Sequence, residues 1–393
     1  MAKLTAEQQL AKNEKVKAKI KDTKERRKEQ QCFVRELKIN TSNMSEEDLI
    51  HLKMLFIEAR WLRNAILSSA DVKEFNVSKI DHVLGFNKEK EVVEKPIKYL
   101  SSHMRQEVLG QVKQDISSLA AKKKKGLKVG RLKFVSEVNS INLKQYGNTY
   151  QILPNGIKIQ GLSTLLKVRG LKQFNQFAGC EFANAHLIQK PSGYFLHVAF
   201  FVSKKSLIQT DIKKDAGLDF GIKTSITTSD GDKFNISIKE SDSLKKAQRS
   251  LSKKQKGSSN RYKARFKLKG EYEKITNQRK AKANQIVGYL IKHYNTIYMQ
   301  DENLRGWHKG LFGKQVQNSA LGTIKSKLIS KGAILIDRFA PTTKECLSCE
   351  NHVTLTLDDR IFSCPLCGYT EDRDIKAALT VLMFGLQGKY LKQ

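Results

Sequence analysis

The chain has 393 residues, and its 72 lysines and arginines exceed its 39 aspartates and glutamates to give a net charge of +33. This length is enough for two or more domains. So large an excess of positive charge predicts a polyanionic partner, and a basic surface without a partner is the alternative. No apolar run approaches the ~18 residues that span a bilayer, and the charged first residues lack the apolar segment of a signal peptide, so we expect no membrane association and a cytoplasmic chain with reduced thiols.

The first third of the chain is predicted to be mainly helical. Residues 1–31 are expected to form a highly charged helical extension, which would be either a frayed tail or a helix that contacts RNA. A strand is expected at 32–40. Helical periodicity then dominates residues 41–125, beginning at a capping-box sequence at 45–48. A second helix is expected at about 96–121, followed by a lysine-rich loop.

The period of apolar residues changes to two in the next segment. Short β-rich runs separated by glycine and proline turns fill residues 126–210, and the clearest strand is 194–202. We expect a small β-barrel wedge domain made of residues 32–40 and 126–210. The helical residues 41–125 would then be a recognition domain inserted into that barrel.

An alternation of strands and helices predicts a further domain after residue 211. Its first strand carries Asp219 and is followed by a hairpin turn at 229–232. A later strand at 295–300 ends just before Glu302, and a helix at 321–330 leads to a strand at 333–336. A helix at 374–386 closes the pattern.

A helical pair at 241–285, broken at 257–260, is densely basic with a thin apolar side. Such helices gain little from packing and much from neutralising phosphates. Its cations are Lys253, Lys254, Lys256, Arg261, Lys263, Arg265, Lys267 and Lys269. We take Lys253, Lys254, Arg261 and Arg265 as candidate nucleic-acid contacts.

Two CxxC pairs lie near the end of the chain. Cys346 and Cys349 form the first pair, and Cys364 and Cys367 follow after fourteen intervening residues. Four thiolates on two such knuckles predict one structural zinc ion in a ribbon. A redox dithiol pair is the alternative.

Three acids are candidates for a catalytic site: Asp219 on a strand, Glu302 after a later strand, and Asp374 after the ribbon. Phosphodiester hydrolysis by two divalent ions needs carboxylates that converge from separate elements, and Mg²⁺ prefers such oxygen ligands. Each acid alone is weak support, since an aspartate beside a glycine is more often a turn or a cap. Asp372 is an alternative to Asp374.

The combined motifs resemble the TnpB family of insertion-sequence nucleases and the compact type V CRISPR effectors related to it. The resemblance is dense from about residue 215 onward, looser over about 130–210 and weak before that. The matching segments are 219–223, 229–231, 300–304, 338–346, the two CxxC pairs and 372–378. The chain departs from many relatives at Lys376, where they have asparagine, and at Asn303, where they have aspartate.

The resemblance implies an α+β multidomain protein with a RuvC-like nuclease domain of RNase H fold. This domain would comprise residues 211–340 and 371–393, and the zinc ribbon at 341–370 would be inserted into it. Asp219, Glu302 and Asp374 would be the catalytic acids and would hold two Mg²⁺ ions.

The function that the resemblance implies is RNA-guided DNA cleavage in a prokaryotic cytoplasm, with nucleoid association when bound. A guide RNA would pair with one strand of double-stranded target DNA beside a short flanking motif. The protein would act as a monomer or as a homodimer on one RNA. An unguided, structure-selective RuvC-like nuclease and a non-catalytic regulator that binds RNA or DNA are the alternatives.

Overall fold

The polypeptide folds into two units, Met1–Gln209 and Thr210–Gln393, in a computed structural model. The structure describes residues 5–392 except 70, 73, 79, 88, 90, 178, 208–212 and 357. No helix within these described ranges is long and apolar enough to cross a membrane.

The first unit joins a helical segment to a β-sheet. Its elements are α1 (Ala6–Lys28), β1 (Gln30–Ile39), α2 (Glu46–Ser68), β2 (His82–Phe86), β3 (Val92–Pro96), α3 (Ser102–Lys124), β4 (Ser140–Leu143), β5 (Tyr150–Leu153), β6 (Gly156–Ile159), β7 (Val168–Arg169), β8 (Glu181–Lys190) and β9 (Gly193–Ser203).

Five antiparallel strands form the main sheet of this unit, in the order β4-β8-β9-β1-β7. The strand β1 pairs with β9 along nearly its whole length, from Gln30 opposite Ser203 to Lys38 opposite Phe195. The strand that precedes the helical segment therefore joins the strands that follow it. The closed barrel is not confirmed, because β4 and β7 are edge strands among the described residues.

The helix α2 supplies much of the core because its apolar residues recur every three or four positions. Leu52, Leu55, Ala59, Leu62 and Ile66 are fully buried. The hydroxyl of its N-cap residue, Ser45, accepts a hydrogen bond from the Asp48 amide, as the capping sequence predicted.

The carboxylate of Asp48 does not return to the Ser45 amide, so the capping box is only half formed. It instead accepts hydrogen bonds from the Ser163 amide at 3.0 Å and hydroxyl at 2.9 Å, and from the Thr164 amide at 2.7 Å. This contact fixes the start of α2 against the loop that follows β6.

The segment between α2 and α3 differs from the prediction. Residues expected to be helical form the β2–β3 hairpin, whose β-branched Val83, Val92 and Val93 favour a strand. The helix α3 begins at Ser102, six residues later than expected, because the hydroxyl of Ser101 caps it. It also continues to Lys124, through lysines that were expected to form a loop.

The second unit alternates strands and helices. Its elements are β10 (Lys214–Phe220), β11 (Ile226–Thr228), β12 (Lys233–Phe234), α4 (Asp242–Ser252), α5 (Ser259–His293), β13 (Tyr294–Gln300), α6 (Leu304–Lys309), α7 (Gly313–Asn318), α8 (Leu321–Ser330), β14 (Ile334–Ile336), β15 (Ile361–Ser363), β16 (Thr370–Asp372) and α9 (Arg373–Gln387).

A mixed five-stranded sheet organises this unit, in the order β12-β11-β10-β13-β14. The three strands β10, β11 and β12 form an antiparallel meander, whereas β13 and β14 run parallel to β10. The carboxyl ends of β10 and β13 therefore meet at the same edge of the sheet.

The predicted basic helical pair is confirmed as α4 and α5, although the break lies at residues 253–258 instead of 257–260. The helix α5 also continues past the predicted end at residue 285 to His293, and its added residues Ile286, Val287 and Leu290 are buried in the core. The short helices α6 and α7, with six residues each, were not predicted.

Candidate active site and metal centre

Asp219 is the next-to-last residue of β10, at the edge of the sheet where β13 also ends. Its strand neighbours Leu218 and Phe220 point to the other face of the sheet and are buried in the core of this unit. Because side chains alternate along a strand, Asp219 and Gly217 share the opposite face. That face is covered by α9.

The glycine at 217 allows α9 to lie directly against β10. A β-carbon on Gly217 would lie 2.1 Å from the Ala378 carbonyl oxygen and 2.6 Å from the Leu382 amide nitrogen. Asp219 lies two residues beyond Gly217 along β10, and Asp374 lies one turn before Ala378 along α9. Each of these steps covers about 6 Å. The contact between Gly217 and Ala378 therefore brings Asp219 level with the helical turn that carries Asp374.

The electrostatics of Asp219 reflect this arrangement. Burial and the negative charges of Asp374 and Glu302 raise the pKa of the Asp219 carboxyl to about 7, and Arg373 opposes the shift. Like charges raise a carboxyl pKa only when they lie nearby. The three predicted acids therefore share one electrostatic environment, and raised carboxyl pKa values of this kind are typical of functional sites.

Glu302 lies just beyond β13, and the acid that precedes it has a different role. Lys325 pairs with Asp301 at 2.5 Å, and Lys392 and Arg338 also bind it. The two lysines lower the pKa of Asp301 to about 2, although burial opposes them. Burial instead raises the pKa of Glu302. Of the two consecutive acids, Glu302 is thus the one left to bind a cation.

Asp372 and Asp374 can be told apart by their contacts. The Asp372 carboxylate caps α9 by accepting hydrogen bonds from the Asp374 and Ile375 amides, and it pairs with Lys233 at 2.7 Å. Within the part of the chain that the structure describes, the Asp374 side chain forms no cap and pairs with Arg373 at 3.7 Å. This difference favours Asp374 as the site acid and gives Asp372 a structural role.

The three acids do not form a tight single-ion cluster. Among the described residues, one group of three or more ligating side chains has all of its ligand atoms within 4.8 Å of one another. That group is made of cysteines and does not include the three acids. Carboxylates on opposite sides of two ions about 4 Å apart need not meet that distance.

Cys346, Cys349, Cys364 and Cys367 do form such a tight group. The sulfur atoms of Cys346 and Cys367 are 3.6 Å apart, as are those of Cys349 and Cys364. A tetrahedral site with Zn–S bonds of about 2.3 Å has edges of about 3.8 Å, whereas a disulfide bond is about 2.05 Å long. The four sulfurs can therefore hold a metal ion, and the separations suit zinc.

The backbone of the second knuckle favours the thiolate form that binds metals. Hydrogen bonds from the Cys367 and Leu366 amides lower the pKa of the Cys364 thiol to about 6, although burial opposes them. The hairpin of β15 and β16 continues directly into α9. The four-cysteine site is thus joined to the helix that carries Asp374.

A second connection between the ribbon and the acids runs through Gln300, Thr342 and Lys376. The Gln300 amide donates to the carbonyl of Ala340 at 3.0 Å and accepts from the Thr342 hydroxyl at 3.0 Å. The fully buried Lys376 amine donates to the Thr342 carbonyl at 3.1 Å and lies 4.3 Å from the Phe362 ring. Sequence reasoning gave these residues no role; a lysine in an apolar helix was the available signal.

The predicted nucleic-acid contacts in α5 and in the turn between α4 and α5 fall into two groups. Lys253 and Lys254 are exposed. The Arg261 guanidinium instead donates to the carbonyls of Leu251 and Lys254 at 3.0 and 2.7 Å, so that it holds the turn between the two helices. Arg265 is exposed. Lys253, Lys254 and Arg265 are therefore better candidates for phosphate contact than Arg261.

The second unit combines a mixed sheet that has three acids at one edge with a four-cysteine ribbon. This combination defines a class of protein. Two family models match this part of the chain. The OrfB_IS605 model, described as "Probable transposase", matches residues 200–307, and the "Cas12f1-like, TNB domain" model matches residues 322–381. The first match includes Asp219 and Glu302, and the second includes the four cysteines and Asp374. These matches confirm the resemblance to the TnpB and compact type V effector family.

The chain is also similar to individual proteins. The chain is 34% identical over 181 residues to a Streptomyces pristinaespiralis protein named "Putative RNA-guided DNA endonuclease", and the match covers 43% of this chain. It covers 45% of that relative, so the chain matches less than half of the relative's length. A solved structure titled "Cryo-EM structure of the Cas12f1-sgRNA-target DNA complex" is similar at 13% identity and a TM-score of 0.29, over 89% of this chain and 98% of that one.

Proposed function

We propose that this protein is an RNA-guided DNA endonuclease that cleaves its target at one RuvC-like site. The observation that carries the proposal is the position of three acids: Asp219 near the end of β10, Glu302 just after the parallel strand β13, and Asp374 in the first turn of α9, which packs against β10 at Gly217. The negative charges of Asp374 and Glu302 raise the pKa of Asp219, in keeping with this placement. The relative named as an RNA-guided DNA endonuclease supports the guided reaction.

Asp219, Glu302 and Asp374 would hold two Mg²⁺ ions, which supply a hydroxide nucleophile and stabilise the leaving oxygen in such sites. The surrounding residues prepare the three acids for this role. Lys325 and Lys392 pair with Asp301, and Lys233 and the α9 amides bind Asp372. These groups hold the carboxylates of the two neighbouring acids rather than those of Asp219, Glu302 and Asp374.

The fold supports a RuvC-like domain of RNase H type over residues 211–340 and 371–393. An antiparallel meander extended by two parallel strands is what such a fold requires, and α9 completes it after the ribbon. We assign residues 341–370 to a zinc ribbon, on the strength of the four sulfur positions.

The partners proposed are a guide RNA and a double-stranded DNA target. The net charge of +33 suits the backbone of a heteroduplex, whose sequence is read by base pairing. We assign guide and flanking-motif contacts to the first unit, which would comprise the wedge (32–40 and 126–210) and the helical recognition domain (41–125).

The test is purification from cells, sequencing of the bound RNA, and cleavage of a matching DNA target in Mg²⁺. We expect RNA of a defined length, cleavage by the wild-type protein, and loss of cleavage with retained RNA in Asp219→Ala. Asp242→Asn, which changes an exposed acid of the same unit, is the matched control and should cleave normally.

Three outcomes would contradict parts of the proposal. Cleavage by Asp219→Ala would remove Asp219 from the site. Cleavage without any bound RNA would favour an unguided nuclease. Stable RNA and DNA binding with no cutting under any metal would favour a non-catalytic regulator.

A further inference from the structure

The chain turns back after α9 and adds its last described residues to the sheet of the second unit. The helix ends at Gly388, which is left-handed with a φ of 69°, and the Lys389 amide donates to the Phe384 carbonyl at 2.9 Å. The next residue, Tyr390, is also left-handed with a φ of 56°, and its ring lies 4.8 Å from that of Phe384. A left-handed conformation costs free energy in a residue other than glycine, so that the surrounding contacts must hold this turn in place.

Residues 390–392, which we call the return segment, lie beside the edge strand β14. The Asp337 amide donates to the Tyr390 carbonyl at 2.8 Å. The Lys392 amide donates to the Leu335 carbonyl at 2.9 Å. These two hydrogen bonds make an antiparallel bridge to β14, and they fix the backbone of Lys392 at this edge of the sheet.

The side chain of Lys392 reaches the carboxylate of Asp301, which lies one residue before Glu302. Its amine pairs with the Oδ2 atom of Asp301, and the amine of Lys325 pairs with the Oδ1 atom at 2.5 Å. Arg338 lies 3.5 Å from Oδ2. The Asp301 side chain is only 14% exposed. Its carboxylate is thus held from three parts of the unit: α8, the loop that follows β14, and the return segment.

The side chain of Glu302 lacks such contacts. It has no hydrogen-bond or salt-bridge partner in the part of the chain that the structure describes, so its direction follows from its backbone. The Glu302 amide donates to the Gln300 carbonyl at 2.8 Å, and the Glu302 carbonyl accepts from the Lys325 amine at 2.9 Å. The same amine holds Asp301. The carboxylate of Asp301 and the backbone of Glu302 are therefore fastened together.

We propose that Lys392 is a positioning residue for Glu302 and acts through Asp301. Without the Lys392 amine, the Oδ2 atom of Asp301 keeps only the more distant Arg338 as a partner, and the turn that directs Glu302 becomes looser. Groups that support a metal ligand usually contribute about ten- to hundredfold to metal affinity, so a looser Glu302 should bind divalent ions more weakly. The inference rests on the proposed function for the presence of those ions. It goes beyond that function by making the return segment a part of the active site.

The first measurement is Mn²⁺ binding to full-length protein freed of nucleic acid, read from the electron paramagnetic resonance signal of the free ion. The loss of bound Mn²⁺ in Asp219→Ala defines the share that belongs to the site. The second measurement is single-turnover cleavage by the RNA-loaded protein over a range of Mg²⁺ concentrations. We expect Lys392→Met to weaken Mn²⁺ binding about tenfold and to raise the Mg²⁺ concentration for half-maximal cleavage by a similar factor. Lys392→Arg keeps the positive charge and should behave like the wild type in both measurements.

A double-mutant cycle tests the route through Asp301. In an Asp301→Asn background, Lys392→Met should have little further effect on Mn²⁺ binding, because the lysine no longer has a charged partner to hold. The matched control is Lys389→Met, which removes a lysine of the same turn whose partner, Glu350, is exposed. This control should bind Mn²⁺ and cleave DNA like the wild type. Urea unfolding of every variant shows that each one folds.

Wild-type Mn²⁺ affinity in Lys392→Met would overturn the inference, whatever its stability, because a purely structural role changes unfolding alone. Equal losses of affinity from Lys392→Met with and without Asp301→Asn would also overturn it, since Lys392 would then not act through Asp301. Unchanged Mn²⁺ binding in Asp219→Ala would instead overturn the proposed metal site, and the inference with it.

Discussion

The α-carbon of Gly217 faces the backbone of Ala378 so closely that a β-carbon would lie 2.1 Å from the Ala378 carbonyl oxygen. Because both partners are backbone atoms, no side-chain rotation can make room for a larger residue. The distance between β10 and α9, and hence between Asp219 and Asp374, is set by this contact.

We predict that Gly217→Ala displaces α9 and separates the two acids. The free energy of unfolding should fall by about 1–3 kcal/mol, the usual cost of overpacking, and cleavage should fall at least tenfold with RNA binding retained. The measurements are thermal unfolding and the single-turnover cleavage rate. Gly110→Ala is the control, because a β-carbon there meets nothing within 4 Å and alanine favours a helix. Normal cleavage by Gly217→Ala would show that this contact does not position the acids.

A second prediction separates Asp372 from Asp374. Asp372→Asn keeps the oxygen that caps α9 and should cleave nearly normally, whereas Asp372→Ala should lose about 1 kcal/mol of stability with its cap. Asp374→Asn should abolish cleavage without loss of stability. The test is to measure cleavage and urea unfolding for all three variants side by side. If Asp372→Asn is as inactive as Asp374→Asn, then Asp372 is itself a site ligand.

Much of the second unit could be predicted because its signals are local. The spacing of the four cysteines specifies two knuckles, and their sulfur atoms do come together. The helix α8 has its predicted bounds, and β13 and α9 lie within one residue of theirs. Such elements are long or strongly periodic, so that neighbouring residues alone determine them.

The remaining features depend on contacts between distant residues. Nothing near Asp301 in sequence shows that Lys325 and Lys392 neutralise it, and nothing near Arg261 shows that it holds a helix end. The β2–β3 hairpin was missed because its two strands have only five residues each. Gly217 could not be recognised as a packing glycine before α9 was placed beside it.

The third prediction concerns the pH dependence of stability through Asp48. Although burial opposes it, hydrogen bonds from Thr164 and Ser163 lower the pKa of Asp48 to about 2, from an unfolded value near 4. The contribution of this group is therefore fully present above pH 4 and is lost as the pH falls toward 2. It amounts to about 2 kcal/mol.

Asp48→Asn should remove that part of the pH dependence and should be less stable than the wild type at pH 7. The measurement is urea unfolding of both proteins between pH 2.5 and pH 7, followed by a probe in the first unit. Asp71→Asn is the comparison, since Asp71 is exposed. Parallel pH profiles for the wild type and Asp48→Asn would contradict the assignment.

The last prediction concerns Lys376, which links α9 to the ribbon. Lys376→Met keeps an unbranched apolar stem beside Phe362 but leaves the buried Thr342 carbonyl without its donor, so we expect a loss of about 1–3 kcal/mol. Because Thr342 also bonds Gln300, the loosened segment should lower the cleavage rate and hasten zinc release to a chelator.

Metal analysis, chelator kinetics and cleavage assays measure these effects. The control is Lys344→Met, which changes an exposed lysine before the first knuckle. If Lys376→Met releases zinc and cleaves DNA at the same rates as that control, then the ribbon and the acids are not coupled through this lysine.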